Sequence, residues 1–254
     1  MPHVNPYRVW ITGASSGIGK ALARVYAARG AVLGLVGRRE DALIELTASL
    51  GSGHRWYVAD VRDSARMIQV ATDFLHDVGS PDLVIGNAGI SIGTDTREAD
   101  SDNFREVLDT NVVGLFNTFH PFLGQLSRGA QLVGIASVAG YRGLPGAGAY
   151  SASKAAAIAY LESLRIELAS SGIAVTTICP GYIRTPMTRA NPYPMPFIIA
   201  ADDAAARIAR AIDSGTSYAV IPWQMAIVAK LLRALPNWLL DWALADVPRK
   251  PRRQ

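Results

Sequence analysis

Short apolar runs alternate with segments of helical spacing along most of the chain, and this alternation narrows the fold more than any other feature. Residues 9–11, 31–36, 55–58, 83–85, 131–135, 174–178 and 218–221 read as strands. Between them, residues 18–29, 41–50, 65–76, 102–126, 151–170 and 201–214 place apolar side chains three and four apart, as amphipathic helices do. The strands are nearly continuous in apolar residues, which is expected when helices cover both faces of a sheet. The pattern predicts an α/β chain with a doubly wound, Rossmann-like parallel sheet of about seven strands.

Half of the 254 residues are hydrophobic and 18% are charged, enough to bury a sizeable core. No internal linker or repeat divides the chain, so residues 1–254 read as one dinucleotide-binding and catalytic domain. Two stretches depart from the alternation. Residues 186–199 carry Pro186, Pro192, Pro194 and Pro196 among Met, Tyr and Phe, which rules out a long helix and suggests a substrate flap. Residues 222–254 form an apolar tail, with helical segments at 223–234 and 237–245 parted by Pro236 and followed by a basic terminus. A single cysteine, Cys179, excludes an internal disulfide framework and suits a reducing, cytoplasmic setting. No secretory leader is evident, nor any run of about 18 apolar residues. Arg249, Lys250, Arg252 and Arg253 match the whole net charge of +4, so the remainder is balanced and a nucleic-acid partner is not expected. The four histidines share no ligand spacing with one another or with Cys179, and no metal is expected.

Directly after the first strand stands Thr12-Gly13-Ala14-Ser15-Ser16-Gly17-Ile18-Gly19, within which the first helical pattern begins. Glycines there let the backbone turn sharply and approach a pyrophosphate, whose charge sits on free N–H groups at a helix N-terminus. When such a fold binds NAD, an acidic residue about 20 positions on takes the ribose 2′-hydroxyl. Here the second strand ends in Gly37-Arg38-Arg39, and guanidinium groups suit the 2′-phosphate of NADP(H). Farther on, Tyr150 and Lys154 are four residues apart at the start of a helical segment, which puts both on one face. A nearby ammonium favours the phenolate, making tyrosine a usable acid and base.

Taken together, these motifs resemble the short-chain dehydrogenase/reductase family from about residue 8 to 222. The resemblance rests on TGASSGIG at 12–19, Asp60, Asn87-Ala88-Gly89, Asn111, Ser137, Tyr150, Lys154 and Pro180-Gly181-Tyr182-Ile183-Arg184-Thr185, in the family's order. It implies an NADP(H)-dependent oxidoreductase that moves a hydride between the nicotinamide and a carbonyl/alcohol pair. Tyr150 would be the acid/base, Ser137 would hold the substrate oxygen, and Lys154 would bind the nicotinamide ribose and lower the tyrosine pKa. Asn111 would present its main-chain carbonyl to a water linked to Lys154. The cofactor site implied comprises Gly13, Ser15, Ser16, Gly17, Ile18 and Gly19; Arg38 and Arg39; Asp60 and Val61 at the adenine; Asn87, Ala88 and Gly89 at the adenosine ribose; Tyr150 and Lys154; and Pro180, Gly181, Ile183 and Thr185 at the nicotinamide. Two positions depart from the pattern: Gly86 stands where many members have asparagine, and Ser16 stands at a position often basic in NADP-preferring relatives.

The substrate expected is a moderately apolar ketone, aldehyde or secondary alcohol. Other readings are an NADP(H)-binding sensor or scaffold without turnover, which needs no intact Ser137, Tyr150 and Lys154, and a reductase of carrier-bound 3-oxoacyl groups docking through the basic tail. Three of five tryptophans, Trp223, Trp238 and Trp242, fall in the last 32 residues. Such a segment serves as a substrate lid, a homodimer or homotetramer interface, or a monotopic membrane contact; helices of this length more often pack on protein, so the first two come first.

Overall fold

A computed structural model describes residues 6–93, 100–189 and 191–245. Seven strands form one parallel sheet: β1 (Arg8–Thr12), β2 (Val32–Gly37), β3 (Arg55–Val58), β4 (Leu83–Gly86), β5 (Gln131–Ile135), β6 (Ala174–Pro180) and β9 (Tyr218–Ile221). Their order across the sheet is β3-β2-β1-β4-β5-β6-β9. The order reverses between β1 and β4, and the crevice above their carboxyl ends is where such sheets bind ligands.

Alternate side chains leave the sheet on opposite faces and build two cores. Val9, Ile11, Leu33, Leu35 and Ile85 pack under α1 (Gly17–Ala28), α2 (Glu40–Leu50) and α8 (Ala201–Asp213). Trp10, Val84, Leu132 and Val175 pack on the other face against α3 (Ser64–Asp77), α5 (Gly114–Phe119) and α6 (Gly148–Leu168). Helix α8 shows the amphipathic logic plainly: Ala204, Ala205, Ile208, Ala209 and Ile212 are buried, while Asp202 and Asp203 lie in the first turn, where negative charge suits the helix dipole. Gly34 has no substitute, because a Cβ there would come 2.5 Å from the Trp10 ring. Trp10 in turn meets Phe74 and Phe122 edge-on at 5.1 and 5.2 Å.

Three differences from the sequence pattern bear on the site. The long helix expected over 102–126 is broken into α4 (Ser101–Leu108), a π-turn (Asp109–Val113), α5 and a single 3₁₀ turn (His120–Phe122). Pro121 accounts for the 3₁₀ ending, and Gly114 lets the π-turn press on Val61, since a Cβ there would lie 2.5 Å from that side chain. The segment after β6 is ordered by a second small sheet, in which β7 (Ile183–Arg184) pairs in parallel with β8 (Ile199–Ala200). Within it, α7 (Pro186–Arg189) is one turn with proline at its first position, the place where a missing N–H costs nothing. The tail forms α9 (Trp223–Ala234) and α10 (Asn237–Leu244). Its basic terminus, 246–254, and Ala190 of the flap lie outside the described residues.

Candidate active site

The glycine loop takes the shape its composition requires. Gly13 and Gly17 have φ of 66° and 56°, and a Cβ on Gly13 would sit 2.8 Å from the Ala88 Cα. Ser16 caps α1 in extended geometry without a side-chain bond, leaving the first N–H groups of the helix to an anion. Asn87 holds the loop from the neighbouring strand, its Nδ2 donating to the Thr12 and Gly13 carbonyls at 3.0 and 3.2 Å. Gly19 does not face the cavity; its Cα packs on the Gly13 carbonyl and Asn87, and a Cβ there would strike both.

The loop opens on a cavity of about 420 Å³. With the exceptions of Gly19 and Asn111, every site residue singled out in the sequence lines it, from Gly13 and Arg38 at one end to Ser137, Tyr150, Lys154 and Thr185 at the other. At the β2 end, Arg39 Nη2 donates to the Ser15 carbonyl and Oγ, both at 3.1 Å. Arg38 is half exposed and stands 3.8 Å from Asp60. Arg62 occupies that carboxylate far more tightly, at 2.6 Å. Hydrogen bonds from Arg62 hold Asp60 below the usual carboxylate range despite the opposing effect of burial, the largest single influence.

At the other end Ser137 follows β5 and caps a 3₁₀ turn (Val138–Gly140), its Oγ accepting from Ala139 N at 3.1 Å. Tyr150 and Lys154 come from successive turns of α6, with Lys154 Nζ 5.8 Å from the Tyr150 ring centre. Lys154 Nζ donates to the Ile135 carbonyl at 2.7 Å, and burial lowers it to about 8. Burial raises the Tyr150 phenol above its ordinary value, with a Ser137 hydrogen bond opposing. The protein's own groups thus leave Tyr150 protonated at neutral pH, the reverse of the lowering expected from a nearby lysine: the low-dielectric site penalises the phenolate and the ammonium together. Cys179 is pushed by burial up to about 11, so it is a thiol and not a nucleophile.

Asn111 sits in the π-turn, an irregularity frequent at functional sites. Its side chain accepts from Ile90 N at 2.8 Å and donates to the Ile90 carbonyl and to Ser153 Oγ, both at 2.9 Å. Gly89 keeps the space between it and Lys154 open, since a Cβ would stand 3.1 Å from Asn111 Oδ1 and 3.5 Å from Lys154 Nζ.

Several wall residues carried no sequence signal. Thr110 lines the cavity with a buried Oγ1 that has no hydrogen-bond partner, and Ile90 adds apolar surface beside Met187 of the expected flap. Gly140 is as constrained as the loop glycines, because a Cβ would lie 2.8 Å from the Lys154 backbone. The glycine cradle, the free helix N-terminus and the unpartnered Thr110 hydroxyl fit a dinucleotide. Among the described residues, no three His, Cys, Asp or Glu side chains are grouped to hold a metal.

A glycine loop at the switch point, facing a half-buried Tyr150 and a buried Lys154 across one cavity, defines a dinucleotide-binding fold equipped for proton transfer. The model of the short chain dehydrogenase family matches residues 8–194, and the chain belongs to that family. An uncharacterized oxidoreductase of Myxococcus xanthus is 36% identical over 238 residues, covering 92% of this chain and 94% of the relative. A sulfoacetaldehyde reductase of Chromohalobacter salexigens is 36% identical over 186 residues, covering 71% and 74%. Among solved structures, a short-chain dehydrogenase from Streptomyces avermitilis superposes with a TM-score of 0.82 at 27% identity over 94% of this chain and 96% of its own. An alcohol dehydrogenase from the archaeon Thermococcus sibiricus, complexed with 5-hydroxy-NADP, gives 0.78 at 25% identity over 85% and 95%. The protein is an oxidoreductase acting on CH–OH and C=O groups with a nicotinamide cofactor.

Proposed function

We propose that the cofactor is NADP(H) and that the substrate is a moderately apolar ketone or aldehyde, or the matching secondary alcohol. The observation that carries this reading is the single cavity that runs from Arg38 and the glycine loop to Ser137, Tyr150 and Lys154. Arg38 is half exposed and only loosely paired, so a 2′-phosphate can take its guanidinium at little cost, with Arg39 and Ser15 beside it. The Thermococcus neighbour's hydroxy-NADP agrees with this preference. Ile90 and Met187 give the substrate end its apolar walls.

The bound nicotinamide supplies or accepts the hydride. In the direction of reduction, Ser137 Oγ holds the carbonyl oxygen and Tyr150 gives it a proton, for which burial has kept the phenol protonated. Preorganised donors of this kind stabilise the developing alkoxide. Lys154 binds the nicotinamide ribose and, with a water on the Asn111 main-chain carbonyl, returns a proton to Tyr150. Residues 186–199 act as the substrate flap. We read the protein as a cytoplasmic homodimer or homotetramer, supported by exposed Val113, Phe116 and Ile166. A sensor without turnover has no use for the Tyr150–Lys154 pair, and nothing at the cavity favours a carrier protein over a small molecule.

The test is Tyr150→Phe, which keeps the ring and removes the proton. Turnover should fall at least 10²–10⁴-fold, the usual contribution of a general acid or base, while NADPH affinity persists. Substantial residual turnover refutes Tyr150 as the acid/base.

A further inference from the structure

Helix α9 is apolar on two sides, and the protein covers only one. Met225 and Ala229 face inward, with Met225 packed so closely on Gly181 that a Cβ there would lie 2.5 Å from its Cγ. Trp223, Ile227 and Leu231, spaced four apart, face outward. Beyond Pro236, α10 buries no residue and leaves Trp238 and Trp242 71% and 77% exposed. This surface is held in place: Arg142, from the loop after Ser137, donates to the carbonyls of Leu232 and Leu235 at 3.1 and 2.6 Å, gripping the end of α9.

Charge selects the occupant. Among the described residues of the two helices, Lys230 and Arg233 are exposed against one exposed acidic residue, Asp241. A second copy related by a two-fold axis would bring Lys230 and Arg233 of each copy to one contact, where like charges repel. An anionic bilayer satisfies both halves of the surface: indole rings settle at headgroup level, and lysine and arginine meet lipid phosphates. None of the described helices is long and apolar enough to cross a membrane, so the contact lies in the interface plane. We propose that the outer face of α9 and α10 is a monotopic docking surface for anionic lipid bilayers. The exposure reverses the ranking that helix length alone suggests, and the surface stands independently of the cofactor and substrate assigned above.

The experiment is flotation of the full chain with vesicles of phosphatidylcholine alone or mixed with phosphatidylglycerol. Binding is expected to the mixed vesicles only, to fall as salt rises, and to bring tryptophan fluorescence within reach of quenching by brominated acyl chains. Trp238→Ser with Trp242→Ser should weaken partitioning at least tenfold, leaving sedimentation mass and turnover of a water-soluble carbonyl compound unchanged. Lys230→Ala with Arg233→Ala should weaken it on the order of thirtyfold, about fivefold per charge. The proposal is overturned by failure of the wild type to float with mixed vesicles, by equal binding to phosphatidylcholine alone, or by binding that survives the tryptophan replacements. It is equally overturned if those replacements convert an oligomer to monomers, which would make the face a contact between copies.

Discussion

The two ends of the cavity are built by different rules. At the glycine-loop end the backbone itself is the binding surface: Gly13 and Gly17 in left-handed geometry, a helix N-terminus and the Asn87 clamp leave little room for variation. At the far end, beyond Tyr150, residues between Pro180 and Thr188, Met187 among them, form the walls, on a segment ordered by a two-stranded sheet and a one-turn helix. One end is fixed by steric necessity and the other by interchangeable side chains, which is how a family keeps one cofactor chemistry while varying its substrates.

Substitutions on the two sides should therefore differ sharply. Gly13→Ala forces an alanine into φ of 66° and against the Ala88 Cα, so it should lose about 2–4 kcal/mol of stability together with dinucleotide binding. Gly143→Ala, in the loop after Ser137, meets nothing within 4 Å and should stay within about 0.5 kcal/mol. Denaturant titration of both variants checks the contrast, and equal losses would break it.

Next in size is the Arg38→Ala effect on cofactor choice. A hydrogen-bonded charge contributes about 1.5–3 kcal/mol, so NADPH binding should weaken roughly tenfold to a hundredfold while NADH binding barely moves. Fluorescence titration of the two cofactors reads this directly, and equal losses would remove Arg38 from phosphate recognition. On the opposite side, Arg142→Ala frees the carbonyls at the end of α9 and should destabilise that segment locally by about 1–2 kcal/mol. Hydrogen exchange should quicken in α9 and α10 with NADPH affinity intact.

The smallest net effect is expected for Lys154→Met, where two contributions oppose each other. The folded protein holds the Lys154 proton less tightly than the unfolded chain, about 8 against 10.5, so the cost of the buried ammonium is fully present below pH 8 and fades as pH rises to 10.5. That cost is on the order of 3 kcal/mol. Methionine removes it but leaves the Ile135 carbonyl without its donor, a loss of about 1–3 kcal/mol. The variant should be more stable than wild type by about 1 kcal/mol at pH 7, less stable by pH 10.5, and poor in turnover at both. A stability difference that ignores pH would contradict the assignment.

What the sequence made legible follows the same division. The loop glycines and the Tyr150–Lys154 pair act over a few residues, so spacing alone places them on a turn and on one helix face. Asp60, Asn87 and Ser137 were found through the resemblance, yet the resemblance did not say that the Asn87 amide grips the Thr12 and Gly13 carbonyls. The π-turn that turns Asn111 toward Ile90, the Gly140 contact with α6 and the Arg142 grip on α9 join residues from 14 to more than 90 positions apart, and no local pattern encodes them. Pro121 sits where the helix expected over 102–126 gives way to a 3₁₀ turn.

The central claim is hydride transfer to a carbonyl carbon with Tyr150 as proton donor, and isotope tracing tests it most directly. NADPH deuterated at one face of nicotinamide C4 is incubated with the enzyme and an apolar ketone or aldehyde, and the alcohol product is examined by mass spectrometry and NMR. The account predicts one deuterium at the carbinol carbon from one of the two faces only, and labelled product formed at least about a hundredfold more slowly by Tyr150→Phe at saturating cofactor. Product formed without deuterium from either face, or labelling by the Tyr150→Phe variant at the wild-type rate, would contradict it.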